Sequence, residues 1–263
     1  MAVRADKVEP SLVDSLCSRV RERIEGGETE QVEEFVRQYY RWVPAEDLAG
    51  RDPLDLYGAA LAHWGLARRR SPGEPKVRIY NPTFEQHGFQ STHTVLEIVS
   101  DDMPFLVDSL SMAVNRRGYR IHLLVHPVIR VERDEHGELR HVLPAHETVG
   151  VPESVIHVEV DRQTERGELM GLHDDVLDVL SDVTAAVADW PAMTRQAREL
   201  AATIDDPPPP VPDAERREAN ALLEWLADDH FVFLGYREYE LVSEDGEEHL
   251  RALPDTGLGI LRA

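Results

Sequence analysis

The chain has 263 residues, of which 42% are hydrophobic and 30% are charged, and its formal net charge at pH 7 is −22. This length and apolar content suffice for one large or two modest globular domains. The strong negative charge argues against binding to nucleic acid or to anionic membrane surfaces, because both require basic patches.

Cysteine content and the N-terminus limit the class of protein further. Cys17 is the only cysteine, which excludes a disulfide framework and a cysteine-based zinc site within the chain. No apolar stretch approaches the roughly 18 residues of a membrane span, and MAVRADKVEP lacks the apolar core of a signal peptide. We therefore expect a cytoplasmic protein without a membrane partner.

The first 75 residues have the periodicity of helices. Apolar residues repeat every four positions over 12–24, and a second apolar stripe covers 32–43. Asp52-Pro53 is typical of a helix start, and the basic run Arg68–Arg70 is typical of a helix end, where cations complement the dipole. We predict an N-terminal helical subdomain at residues 1–75.

A strand–helix–strand pattern follows. Thr92–Val99 alternates β-branched residues and predicts a strand. After the acidic pair Asp101-Asp102, Pro104 fits the first turn of a helix. The apolar face of that helix comprises Met103, Leu106, Val107, Leu110 and Val114. Arg120–Val131 predicts a second strand, parallel to the first, so the pattern indicates a βαβ unit.

The next segment combines strands with the clearest helix of the sequence. A turn at 134–137 and a return through Leu139–Leu143 predict a hairpin, and Ser154–Val160 predicts a further strand. Apolar residues from Leu169 to Val187 lie on one helical face. The opposite, solvated face carries Asp174, Asp175, Asp178 and Asp182. Trp190-Pro191 predicts a break, followed by another helical stretch.

The C-terminal part begins with a linker. DDPPPPVPD at Asp205–Asp213 contains four consecutive prolines, which favour an extended, semi-rigid spacer. Ala214–Ala227 predicts a helix and Phe231–Leu241 a strand. The last residues contain no tail or capping signal, which we interpret as a region cut from a longer protein.

Three separated blocks resemble the N-terminal region of the very large NAD-dependent glutamate dehydrogenases of bacteria. They are KVRIYNP at Lys76–Pro82, DDMPFLVDSL at Asp101–Leu110 with GYRIHLLVHPVIRVER at Gly118–Arg133, and EANALLEWLADDHFVFLGYREYEL at Glu218–Leu241. The blocks follow the order of that family. In these glutamate dehydrogenases, the N-terminal region precedes the catalytic domain and contains ACT-like modules, a fold associated with amino-acid sensing.

The patterns and the resemblance together predict an α+β fold. After the helical subdomain we expect an ACT-like, ferredoxin-like βαβ domain at residues 76–204, a proline-rich linker at 205–213 and the start of a following module at 214–263. The sequence does not indicate which segment supplies the fourth strand of the ACT-like sheet.

The resemblance implies a non-catalytic regulatory and assembly region of an NAD-dependent glutamate dehydrogenase. Its partners would be its own catalytic domain, further copies in a homo-oligomer, and an amino-acid effector. The alternative is a stand-alone amino-acid sensor of the ACT type. An independent enzyme has weak support.

No residue is assigned a catalytic, cofactor-binding or metal-binding role. The segment after Thr256, TGLGILRA, has only a G-x-G where a dinucleotide site needs G-x-G-x-x-G, so NAD would bind in the separate catalytic domain. Active glutamate dehydrogenases also need a lysine that activates the substrate carbonyl, and neither Lys7 nor Lys76 lies in a comparable motif. In a strand, His122 and His126 would stand roughly 13 Å apart, too far to share a metal.

One turn is a candidate effector site or interface. It comprises Asp101, Asp102, Met103, Pro104 and Phe105, together with Met112 on the following helix. Amino acids bind ACT domains near the turn from first strand to first helix, often at a D-x-P-G pattern, which Asp102, Met103 and Pro104 match. Phe105 stands at the glycine position and would fill the space. We therefore expect packing or self-association here rather than ligand capture.

Overall fold

The computed structural model describes residues 10–204, 210–244 and 247–262, which belong to two compact units, 1–180 and 181–263. The first unit begins with helices α1 (Pro10–Arg23), α2 (Thr29–Tyr39), α3 (Ala45–Leu48) and α4 (Pro53–Ala67). It continues with β1 (Lys76–Tyr80), α5 (Phe84–His87), β2 (Thr94–Asp101), α6 (Leu106–Arg116), β3 (Ile121–Val125), β4 (Val128–Arg133), β5 (Leu139–Val142) and β6 (Val151–Val160). Helix α7 (Arg166–Thr203) extends from the first unit into the second.

The second unit contains shorter elements after α7. They are α8 (Asp213–Trp225), a π-helical turn (Leu226–His230), β7 (Gly235–Tyr236), β8 (Tyr239–Glu244), β9 (Glu247–Ala252) and β10 (Leu258–Gly259). Strand β7 pairs with β10, and β8 pairs with β9, both antiparallel. Among the described residues, no helix combines the length and the apolar character needed to cross a membrane.

Six strands of the first unit form an antiparallel sheet in the order β1-β2-β6-β4-β5, and β3 also pairs with β6. Strands β2 and β3 are therefore parallel but lie on opposite sides of β6. This is a split βαβ arrangement, the ferredoxin-like form of the predicted unit. The chain thus has the α+β, ACT-like architecture expected from its sequence.

The fourth strand of this sheet, whose source the sequence left open, is β1. A ferredoxin-like βαββαβ unit takes its last strand from after the second helix. Here β1 pairs antiparallel with β2, from Lys76 opposite Val99 to Tyr80 opposite Val95, and so occupies that edge. The segment that fills the sheet therefore precedes the ACT-like core in sequence.

Helices cover both faces of the sheet. The core between the N-terminal helices and one sheet face includes Leu16, Phe35, Tyr39, Val99, Ile129 and Val155. The opposite face carries buried Leu96, Ile98, Ile156 and Val158. The apolar faces of α6 and of the first part of α7, which include Leu110 and Leu172, are buried as well. Asp175, from the predicted acidic face, contacts Arg117 at 2.6 Å after the end of α6.

Two details of the predicted βαβ unit were wrong. Helix α6 begins at Leu106, because Phe105 has a φ of 70° that no helical residue adopts, so Pro104 lies in the preceding turn. The predicted strand Arg120–Val131 is divided at His126-Pro127 into β3 and β4. Proline has no N–H for the ladder, although the Pro127 carbonyl still accepts from Val155.

Two predictions for the later helices and strands were also wrong. Helix α7 continues through Pro191, where only one hydrogen-bond donor is lost and buried Met193 and Ala197 hold the following turns. Phe231–Leu234 is not a strand, because only Gly235–Tyr236 and Tyr239–Glu244 find partners. Of the predicted linker, residues 205–209 lie outside the described part, and 210–212 have no regular structure.

A buried ionic cluster joins the helical layer to the sheet. Glu153 on β6 is 1% exposed and accepts from Arg70 Nη2 and from Arg133 Nη2, each at 2.7 Å. Arg133 Nη2 also donates to the carbonyl of Ala67, the last residue of α4, at 2.8 Å. Arg70 reaches Asp101 at 2.5 Å. We call Arg70, Arg133, Glu153 and Asp101 the ionic cluster.

Truncation of Leu110 to alanine tests the assignment of the core. The side chain is 2% exposed, so we expect Leu110→Ala to lower the free energy of unfolding by about 2–5 kcal/mol. Asp178→Ala on the exposed face of α7 should change it by no more than about 0.5 kcal/mol. Urea midpoints measure both, and equal losses would contradict the helical phases.

Removal of Glu153 tests the ionic cluster. Glu153→Ala leaves Arg133 without a carboxylate partner and Arg70 with Asp101 as its one remaining carboxylate partner among the described residues. We therefore expect the free energy of unfolding to fall by about 3–5 kcal/mol. The control is Glu28→Ala, which removes an Arg68 pair whose side chains are more than half exposed and should cost less than about 1 kcal/mol. If both variants unfold at similar urea concentrations, the cluster does not hold the two layers together.

Candidate functional site

The acidic turn after β2 is tied into the fold. Asp101 accepts from Arg70 and, at 3.1 Å, from the backbone N–H of Gly73. The backbone N–H of Asp102 donates to the Pro152 carbonyl at 3.2 Å. The structure brings the two aspartates together, but they have separate partners. Asp101 therefore supports the fold at this turn.

A row of hydrogen bonds runs from the sheet to Asp102. The Ser154 hydroxyl donates to Asp102 Oδ1 at 2.7 Å, so His126 Nε2, at 3.0 Å, must donate to the Ser154 oxygen. Burial lowers the pKa of His126, which favours the neutral ring, and the hydrogen-bond pattern places a proton on Nε2. A nucleophilic serine would instead pass its proton to the histidine. This row therefore offers no activated nucleophile.

Phe105 has the left-handed backbone conformation that glycine favours. It is the residue before α6, its φ of 70° is in the left-handed region that glycine favours, and no side chain caps the helix. Its side chain is 38% exposed, and that of Met112, two turns further along α6, is 72% exposed. Phe105 and Met112 form what we call the α6 outer patch. Met103 is half-buried and Pro104 exposed in the turn before it.

The two histidines considered for a metal have separate partners. His122 Nε2 lies 2.7 Å from Asp161, and its ring stacks on that of His93, whereas His126 contacts Ser154. Another trio, His63, Glu97 and His157, is buried with potential ligand atoms within 4.8 Å of one another.

Two residues of that buried trio, His63 and Glu97, already have protein partners. His63 Nε2 faces the Ile98 carbonyl at 3.2 Å and so carries the proton, while Nδ1 accepts from the Tyr39 hydroxyl at 3.0 Å. Burial lowers the pKa of His63 to about 4, which keeps the ring neutral. Glu97 accepts from Arg78 and from the Tyr80 hydroxyl. His63 and Glu97 are therefore hydrogen-bonded parts of the core, whereas Nδ1 of His157 has no hydrogen-bond partner among the described residues.

A cleft lies between the helical layer and the sheet, which the sequence did not reveal. Its volume is about 730 Å³, and it is lined by residues of α2, of the segment 49–52, of α4, of the segment 89–93, of β3 and of β6. Leu56, Phe89 and Val125 provide apolar walls, and Arg51, His157 and Glu159 provide polar groups. We call it the helix–sheet cleft.

Glu159 is the buried charge of this cleft. Its Oε1 accepts from Arg51 Nη1 at 2.7 Å, and its Oε2 lies 3.1 Å from His93 Nδ1 and 3.3 Å from the Ser91 hydroxyl. Burial raises the pKa of Glu159, but His157 and Arg51 outweigh that effect and lower it to about 2. Glu159 is therefore ionised at neutral pH.

His157 has an unused ring atom. The residue is 2% exposed, its Nε2 lies 3.6 Å from Glu159, and its Nδ1 has no hydrogen-bond partner among the described residues. A sequence signal for this site existed in SVIHVEV. His157 and Glu159 alternate with apolar residues and so share one strand face with Val155.

Comparison with known proteins identifies the family. Residues 35–176, more than half of the chain, match the family described as glutamate dehydrogenase, ACT1 domain. The chain is 40% identical over 266 residues to an NAD-specific glutamate dehydrogenase of Halomonas elongata, with 99% of the chain and 16% of that protein covered. It is 42% identical over 216 residues to the protein of the same name in Pseudomonas aeruginosa, with 81% of the chain and 13% of that protein covered.

A third relative is more distant. An NAD-specific glutamate dehydrogenase of Mycobacterium tuberculosis is 28% identical over 217 residues, with 80% of the chain and 13% of that protein covered. The chain thus spans at most 16% of the length of these relatives. From the match over residues 35–176, the chain belongs to the glutamate dehydrogenase ACT1 domain family.

Proposed function

We propose that the chain is the non-catalytic N-terminal regulatory and assembly region of an NAD-dependent glutamate dehydrogenase. The observation that carries this proposal is the ACT1 match within proteins named NAD-specific glutamate dehydrogenases, of which the chain spans only a small part. The whole enzyme would convert L-glutamate and NAD to 2-oxoglutarate, ammonium and NADH in the cytoplasm. NAD would bind in a catalytic domain that is the partner of this region.

The histidines, serines and carboxylates of the described residues support a regulatory role over a catalytic one. The Ser154 hydroxyl donates to Asp102 rather than to a base, and His63 and Glu97 are occupied by core hydrogen bonds. A stand-alone sensor has less support, because the relatives carry the matched region within a much longer protein.

We further propose that the α6 outer patch serves self-association. Met112 on α6 and Phe105 directly before this helix are exposed large apolar side chains, and clusters of this kind usually mark contacts. Phe105 also adds a side chain at the turn where the D-x-P-G pattern has none. Assembly is therefore better supported there than amino-acid capture.

The purified chain should be inactive. We expect no NADH above the blank when it is mixed with glutamate and NAD, because the sequence offers no dinucleotide-binding loop and no suitably placed lysine. Absorbance at the NADH band measures this, and a full-length NAD-specific glutamate dehydrogenase is the positive control. Reproducible turnover by the chain alone would contradict the proposed regulatory role.

Self-association should depend on Met112. We expect the chain to associate reversibly, and Met112→Asp to raise the dissociation constant by about tenfold or more, since a charge would enter an apolar contact. Met170→Asp is the matched control, because Met170 is a 56% exposed methionine on α7. Sedimentation over a range of concentrations measures both. A monomeric parent chain, or equal effects of the two variants, would rule out this interface.

A further inference from the structure

We propose that the buried trio of His63, Glu97 and His157 binds one divalent transition-metal ion, with zinc as the expected metal. One ligand atom from each residue, a ring nitrogen or a carboxylate oxygen, lies within 4.8 Å of the other two. Two histidines and one carboxylate form a ligand set that zinc uses in proteins, usually with one further ligand. The proposal concerns the core of the first unit and does not rest on the proposed regulatory role.

The register of the sheet places two of the ligands side by side. Glu97 on β2 is paired directly opposite His157 on β6 in the antiparallel ladder, so the two side chains are neighbours on one face. Helix α4 contributes His63, whose ring centroid lies 6.4 Å from that of His157. All three residues are buried. Three separate elements therefore bring ligand atoms to one place in the core.

His157 is the ligand that lacks a partner. Its Nδ1 is buried and has no hydrogen-bond partner among the described residues, while its Nε2 lies 3.6 Å from Glu159. Because a carboxylate only accepts, the ring proton belongs on Nε2 and a lone pair remains on Nδ1. A buried acceptor without a donor is unfavourable. A metal ion on Nδ1 would remove this cost, and a carboxylate at the other ring nitrogen is usual for a histidine that binds metal.

His63 has the same arrangement. Its Nε2 donates to the Ile98 carbonyl at 3.2 Å, which leaves the lone pair of Nδ1 for a ligand bond. The Tyr39 hydroxyl oxygen lies 3.0 Å from Nδ1. Two ligand atoms of one tetrahedral zinc ion are roughly 3.3 Å apart, so this oxygen lies where a fourth ligand would. Metal binding therefore replaces one hydrogen bond of the core, from Tyr39, and leaves the other in place.

Glu97 also keeps its supporting contacts. Its Oε2 accepts from Arg78, and its Oε1 accepts from the Tyr80 hydroxyl at 2.9 Å, so one lone pair of Oε1 remains for a metal ion. Hydrogen bonds of this kind orient a ligating carboxylate. The charge of Arg78 opposes a cation bound mainly by anionic oxygens, as calcium and magnesium are. Imidazole nitrogen favours zinc or a similar transition metal instead.

The helix–sheet cleft provides a route to this site. A buried metal site needs an entry path, and both Tyr39 and His157 line the cleft. Because His63 comes from α4 and the other two ligands come from the sheet, a bound ion would link the helical layer to the sheet. Metal binding should therefore stabilise the first unit.

Titration of the 263-residue chain with ZnCl2, after removal of metal by a chelator, tests the proposal. We expect one zinc ion per chain with a Kd of about 10 µM or lower, measured in competition with a chromogenic chelator. Bound zinc should also raise the urea midpoint, because the site exists only in the folded chain. Co²⁺ in place of zinc should show the strong visible absorption of a four-coordinate ion, which six-coordinate cobalt on surface carboxylates lacks.

Two variants and a control locate the ion. His157→Gln removes the ring whose Nδ1 has no described partner, and Glu97→Gln keeps the shape of its side chain. Each should raise the Kd for zinc by at least about tenfold and abolish the visible cobalt bands. His122→Gln removes a histidine of β3 that faces Asp161 at 2.7 Å, and it should bind zinc like the parent chain.

Urea midpoints without metal show whether each variant is folded, and the zinc and cobalt measurements on the parent chain need no variant. The proposal is overturned if the parent chain binds zinc more weakly than about 10 µM, or if bound cobalt has the spectrum of a six-coordinate ion. It is also overturned if a folded His157→Gln variant keeps the parent affinity, or if His122→Gln loses as much affinity as His157→Gln.

Discussion

The position of one buried carboxylate constrains the first unit. Glu153 lies on the strand that pairs with three others, and its buried carboxylate contacts the guanidinium groups of Arg70 and Arg133 there. Arg70 comes from the residues after α4, and Arg133 also contacts the Ala67 carbonyl at its end. The ion pairs of Glu153 with Arg70 and Arg133 therefore connect the end of α4 to the sheet. The helical layer and the ACT-like sheet share one core for this reason.

Strand β6 connects both candidate sites through its residue alternation. Ser154 contacts the acidic turn, while His157 and Glu159, further along the strand, contribute to the helix–sheet cleft. Successive side chains of a strand point to opposite faces, so one strand can serve a turn near one end and a cleft on one face. A shift of register by one residue would bury the wrong groups on both faces. The geometry of the two sites is thus set by the same pairing.

Local patterns predicted much of the fold, and long-range pairing explains what they missed. Periodicity predicted the helices around Leu16 and Leu110, because burial of an apolar face leaves a regular trace in the sequence. Arg70, in contrast, belongs to a basic run that is typical of a helix end, and nothing nearby in sequence indicates that Glu153 is its partner. The φ of Phe105 was equally hidden, since its residue type argues against a left-handed backbone. The cleft could not be predicted because its walls come from segments about 100 residues apart.

The placement of β1 at the sheet edge has a consequence for how the chain is threaded. In a ferredoxin-like unit, the second long helix is followed by a return to the sheet, which brings both termini of the unit to the same layer. Here the position beside β2 in the sheet is occupied by β1, which comes before β2 in the sequence. The described residues after β6 therefore continue as helix α7 and add no strand to this sheet. The edge beside β2 is closed by a strand that precedes it in the chain, so the backbone donors and acceptors along that side of β2 are paired within the first unit itself.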